Sequence, residues 1–136
     1  MNVVKKYVDA FNSSQNEYKI DAIMEDGKCS GKDATSAIQK LINVDNVSMI
    51  YGGACSSETL AAGKIAQAAK VFMLSAVSSA PQVSEIGDYV YRYYSDTIAA
   101  KEVASFINNK SQKIAIVSET TDFAQGFANA FKENFK

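Results

Sequence analysis

Two clusters of small hydroxyl residues give this chain its chemistry. The first is Ser56-Ser57, at the end of VSMIYGGACSS (residues 47–57); the second is Ser75, Ser78 and Ser79 in SAVSSAP (residues 75–81). Serine hydroxyls and the N–H groups of a helix start hold carboxylates by hydrogen bonds without placing a full countercharge in the site. In residues 47–57 an apolar strand pattern (Val47, Met49, Ile50, Tyr51) runs into Gly52-Gly53 and then into a helical pattern that opens at Ser56 or Ser57. In open α/β sheets such a strand, turn and helix start borders the ligand crevice, so Ser56 is placed to receive an anion, a carboxylate above all. The simpler reading also stands at this point: Ser56 or Ser57 caps its own helix, with Glu58 as a first-turn carboxylate.

Composition removes several other chemistries. The 136 residues contain no His, which takes away the commonest general base and the commonest metal ligand together. Two Cys without a CxxC spacing do not make a structural zinc site or a thioredoxin-like motif. Fourteen basic residues, of which Arg92 is the only arginine, are scattered among fifteen acidic ones, so no nucleic-acid partner is expected. Gly52-Gly53 has neither the GxGxxG spacing nor the lysine of a phosphate loop. Glu25-Asp26 reads as a solvated strand end rather than a metal pair, because neighbours on a strand point to opposite faces. The tyrosines of residues 89–94 read as buried sheet rather than as a base-stacking surface. No metal or cofactor is expected, and no apolar run approaches membrane-spanning length.

The elements that must position these hydroxyls follow from periodicity. Val3, Val4, Tyr7, Val8 and Phe11 form a helical stripe. Residues 18–24 alternate as a strand with Ile20, Ala22 and Met24 on one face. Asp33 is the expected N-cap of a helix carrying Ala34, Ala37, Ile38, Leu41 and Ile42. The buried strand at residues 47–51 and an Ala-rich helix over residues 57–70 come next. Residues 71–74 form a continuous apolar strand expected to be covered on both faces. Pro81 closes the hydroxyl loop that follows. A strand at residues 89–94, a helix from Ser95-Asp96-Thr97, a buried strand at residues 113–117 and a helix striped with Phe123, Phe127, Ala130, Phe131 and Phe135 complete the order. Strands alternating with helices predict an α/β layered fold with a mainly parallel sheet. Such folds normally open on a strand and this chain opens on a helix, so a strand is expected to precede it.

The succession EDGKC (residues 25–29), YGGACSSET (51–59), LSAVSSAP (74–81), YVYRYYSD (89–96) and TTDFAQGF (120–127) resembles the type I periplasmic solute-binding proteins of branched-chain amino acid ABC transporters. The resemblance runs from about residue 5 to the end in that family's order. It implies a flavodoxin-like parallel sheet with helices on both faces, present here in incomplete form. Residues 1–95 would form a first lobe lacking its opening strand; residues 96–136 would form the hinge crossing and the first strand–helix unit of a second lobe. It implies that Ser56 donates to the ligand's α-carboxylate. In the loop before Pro81, Val77 would supply a carbonyl for the α-ammonium and Ser79 a hydroxyl and an N–H, with Ser78 between them in the ligand loop. Phe123 stands where relatives often carry Tyr on the far wall, which keeps a stacking surface and removes a hydroxyl. Cys29 and Cys55 fall where relatives form a disulfide, the alternative being two free thiols; a disulfide fits an oxidising compartment.

The implied function is that of an extracytoplasmic binding component, periplasmic or extracellular and lipid-anchored or free. It would trap an amino acid or similar small carboxylate by hinge closure and present it to an ABC permease. A ligand-sensing domain of a receptor or amide-responsive regulator is the alternative. An acyl transferase using Ser56 or Cys55 lacks an evident base, so no enzyme is expected. By itself this chain is expected to bind ligand weakly or not at all, and its open sheet edge to favour a homodimer.

Overall fold

A computed structural model describes residues 2–14, 17–110 and 113–136. The elements run α1 (Asn2–Ser14), α2 (Gly31–Asn43), β1 (Met49–Tyr51), α3 (Ser56–Ala69), β2 (Phe72–Ser75), a 3-10 turn (Pro81–Glu85), β3 (Val90–Arg92), α4 (Asp96–Asn108) and α5 (Asp122–Asn134). The three strands form one parallel sheet in the order β1-β2-β3. Each crossover carries a helical segment, as parallel neighbours require.

Register explains which residues meet. Ile50 pairs with Met73 and Met73 with Val90, placing three buried side chains in one row on one face. Helices α2 and α3 close over that row with Ala34, Ile38, Ala62 and Ala66. The other face carries Met49 beside Phe72, and Tyr51, Leu74 and Tyr91 in the next row, with all but Leu74 exposed. The strands expected to be buried at residues 47–51 and covered on both faces at residues 71–74 are therefore each covered on one face among the described residues. A stack between Phe72 and Tyr91, centroids 5.3 Å apart, shields part of the open side.

Residues 18–24 and 113–117 differ from expectation more sharply. Both have strand composition, yet neither has strand structure, and Val117 is 97% exposed. A strand exists only with a ladder partner, because unpaired extended backbone gains no inter-strand hydrogen bonds. No neighbouring strand pairs with either segment among the described residues. Asn12 instead brackets the peptide at Ile20, donating to its carbonyl and accepting from its N–H, both at 2.8 Å. The stripe of α1 is likewise exposed at Val3, Val4, Tyr7 and Phe11.

The helix starts need two corrections. Ser30, not Asp33, caps α2, its hydroxyl accepting from the Asp33 N–H; the Asp33 carboxyl is held below its usual range first by Ser30 and then by Lys28. Cys55 occupies the cap position of α3, which makes Ser56 the first helical residue, so neither Ser56 nor Ser57 is the cap. Helix α4 starts at the expected Ser95-Asp96-Thr97, with Ser95 as its cap. A second apolar cluster, Ala100 and Ala104 of α4 with Ala130 and Phe131 of α5, lies apart from the core under the sheet.

Candidate functional site

The site is built where β1 and β2 end. After β1, Gly53 turns the chain at φ 71°, and a Cβ there would lie 2.0 Å from Thr59 Oγ1. Only glycine lets the strand turn this tightly into α3. Three hydroxyls converge on the Gly53 carbonyl: Ser75 at 2.6 Å, Ser78 at 2.8 Å and Thr59 at 3.1 Å. Ser78 and Thr59 also lie 2.6 Å apart, so one of the two gives its proton to the other and the remaining one, with Ser75, donates to the carbonyl. The Ser78 side chain is thus turned inward, locking the loop after β2 onto the turn after β1.

Ser56 and Ser79 are what this lock positions. Both are buried, at 3% and 1% exposure, and their hydroxyls have opposite polarities. Ser56 Oγ accepts from the Ala80 N–H at 3.3 Å, which leaves its own proton to donate. Ser79 donates its proton to Asp96 Oδ2 at 2.9 Å, which leaves its lone pairs to accept. Val77 is exposed, and its carbonyl takes a hydrogen bond from the Tyr94 hydroxyl at 3.4 Å, with a second lone pair to spare. Beside the loop, Arg92 donates to the Ala80 and Pro81 carbonyls and to Ser84. Burial pulls the guanidinium below its ordinary pKa, and the Asp96 charge acts in the opposite sense.

Helix α5 comes up against this loop. A Cβ on Gly126 would lie 2.9 Å from Pro81 Cδ and 3.5 Å from Ala80, so the helix seats its glycine on the loop. Phe123 lies one turn nearer the start of α5 and is half-exposed.

Cys29 and Cys55 form a disulfide with Cα atoms 5.2 Å apart, in agreement with the expectation. Glu58, seen in the sequence only as a first-turn acid, holds both ends: its carboxylate accepts from the Cys29 N–H at 3.0 Å and the Cys55 N–H at 2.9 Å. The cluster Cys29, Cys55 and Glu58 has metal-ligand types, but both sulfurs are spent in the disulfide, so it offers no thiolate. Asp96 is the other residue that sequence reasoning missed. In the sequence it stands only as part of a helix start.

Hydroxyls and a helix start gathered at the carboxyl ends of parallel strands are the kind of groups that open α/β sheets offer to ligands. The chain belongs to the periplasmic binding protein family, whose model matches residues 1–136. It is 28% identical over 119 residues to the amino acid binding protein of Pseudomonas aeruginosa, covering 85% of this chain and 32% of that one. It is 27% identical over 122 residues to the Leu/Ile/Val-binding protein of Escherichia coli, covering 87% and 33%. The chain thus spans about a third of the length of these curated relatives. Among solved structures it superposes with a TM-score of 0.84 on the branched-chain amino acid transporter substrate binding protein of Streptococcus pneumoniae in complex with isoleucine, at 25% identity, covering 97% of this chain and 40% of that one. The same TM-score relates it to a solute binding protein of an ABC transporter from Rhodopseudomonas palustris in complex with 3,4-dihydroxybenzoic acid, at 23% identity, covering 98% and 38%. Together they make the fold that of a type I periplasmic binding protein, with a parallel α/β sheet.

Proposed function

We propose that this chain is the ligand-gripping part of an extracytoplasmic solute-binding component of an ABC transporter, and that its solute is an amino acid or similar small carboxylate. The observation that carries the reading is the opposed polarity of two buried hydroxyls: Ser56 with a proton to give and Ser79 with lone pairs to give. A zwitterion needs one of each. In this reading Ser56 takes the carboxylate at the start of α3, and Val77 and Ser79 take the ammonium. Ser78 shapes the loop, and Phe123 supplies an apolar wall from α5.

Residues 1–95 belong to one lobe and residues 96–136 to the crossing and start of a second. The two separate apolar clusters support this division. The buried serines and the seat of Gly126 on Pro81 support a closed arrangement that opens for ligand entry by hinge motion. The closed form would engage a membrane permease. The Cys29–Cys55 disulfide supports an oxidising, extracytoplasmic setting. The β1 edge, which pairs with no further strand among the described residues, would also support a homodimer.

The test is a titration of the oxidised, isotope-labelled chain with the twenty amino acids and with 3,4-dihydroxybenzoate, followed at the amides of Ser56, Ser79 and Ala80. Saturable shifts with one solute, lost in a Ser56→Ala, Ser79→Ala double variant, are expected. A panel with no saturable response overturns the reading.

A further inference from the structure

We propose that Asp96 is a positioning residue that selects for an amino group on the solute, by holding the Ser79 hydroxyl as an acceptor. The inference rests on the amino-acid reading above and narrows it. Asp96 is the first residue of α4 and is 4% exposed. Its N–H donates to the Ser79 carbonyl at 2.9 Å, and its carboxylate accepts the Ser79 hydroxyl proton at 2.9 Å. An ionised carboxylate has only acceptor sites, so the hydroxyl has to spend its single proton on it. The Ser79 lone pairs are then left facing away from Asp96.

The consequence for a solute is directional. A serine free to rotate serves a donor and an acceptor equally, and would hold a carboxylate as readily as an amine. Ser79, with its proton committed, repels a second carboxylate oxygen and accepts from an N–H. The Val77 carbonyl two residues earlier is a second acceptor. The negative charge behind Ser79 further favours a cation at that end. The Arg92 charge acts on Asp96 and offsets part of that field, but the Arg92 hydrogen bonds go to Ala80, Pro81 and Ser84, so the Ser79 proton keeps its place on the carboxylate. The chemistry selected is a compact solute with a carboxylate at the Ser56 end and a protonated amine at the Ser79 end. Carboxylates without an amine are disfavoured.

Two measurements on the oxidised chain test this separately. In equal parts H2O and D2O, a hydroxyl proton held by a buried carboxylate exchanges slowly and splits the attached carbon signal by isotope shift. Ser79 Cβ should be split in the unaltered chain and in Asp96→Asn, whose amide oxygen still accepts, and averaged in Asp96→Ala. Leucine and 4-methylpentanoate, which is leucine without its amine, are then compared as solutes. Asp96→Ala should weaken leucine ~10-fold, the scale of a lost charge-assisted hydrogen bond, and 4-methylpentanoate less than ~2-fold. Asp96→Asn should restore most of the difference. An averaged Ser79 line in the unaltered chain, or parallel weakening of both solutes, overturns the role of Asp96. A split line with no saturable response to any of the twenty amino acids overturns the amino-acid reading, and the selectivity role with it.

Discussion

Ser79 and Asp96 bond each other twice, hydroxyl to carboxylate and amide to carbonyl, both at 2.9 Å. These bonds tie the loop after β2 to the first residue of α4, at the boundary between the core under the sheet and the α4–α5 cluster. Removing the hydroxyl leaves a buried carboxylate without its side-chain donor. Ser79→Ala is therefore expected to cost about 1.5–3 kcal/mol, the worth of a hydrogen bond to a charged group. Urea unfolding of the oxidised chain measures it, and a change within about 0.5 kcal/mol, typical of unconstrained surface sites, would show that the pair is not formed.

The disulfide and Glu58 act on the same two loops in different ways. The sequence separation of 26 residues between Cys29 and Cys55 corresponds to about 3–4 kcal/mol of stabilisation in the chain-entropy description. Glu58 reaches the two cysteines at their N–H groups and not through the sulfurs. Glu58→Ala is expected to lower stability by about 1–3 kcal/mol, as two part-buried amides each lose a charged acceptor. The loss should persist under reducing conditions. An effect seen only in the oxidised chain would mean that Glu58 serves the disulfide alone.

Gly126 lets α5 lie against Pro81. Gly126→Val places a branched side chain where a Cβ already meets Pro81 Cδ at 2.9 Å, and should cost about 1–3 kcal/mol by overpacking. The expected readout is a shift of the Ala80 and Phe123 amide resonances with the sheet signals unmoved. Unchanged Ala80 and Phe123 signals would place α5 away from the loop.

Lys40 bridges Glu25 at 2.6 Å and Asp45 at 3.0 Å, and its pKa is raised, first by Glu25 and then by Asp45. A folded pKa above the unfolded value of 10.5 gives stability that is fully present below that value and is lost as pH rises through the folded pKa. Lys40→Met should lower stability slightly at neutral pH, since exposed ion pairs contribute little, and the difference from the unaltered chain should vanish as pH rises through the folded pKa of Lys40. A difference that persists or grows at alkaline pH would contradict this.

Much of the molecule is legible from local pattern alone. Helical stripes, the helix start at Ser95-Asp96-Thr97, the strands around Ile50, Met73 and Val90, and the placement of Ser56 at a helix start all depend on neighbours within a few residues. Residues 18–24 and 113–117 were not legible, because strand composition becomes a strand only when another strand lies alongside. The covering of the sheet was equally out of reach: alternation distinguishes the two faces of Phe72–Ser75 but does not say which receives a helix. Proton direction at the site was decided only by the tertiary structure. Ser56 and Ser79 are the same residue type, and what makes one a donor and the other an acceptor is an amide and a carboxylate brought to them from 24 and 17 residues away.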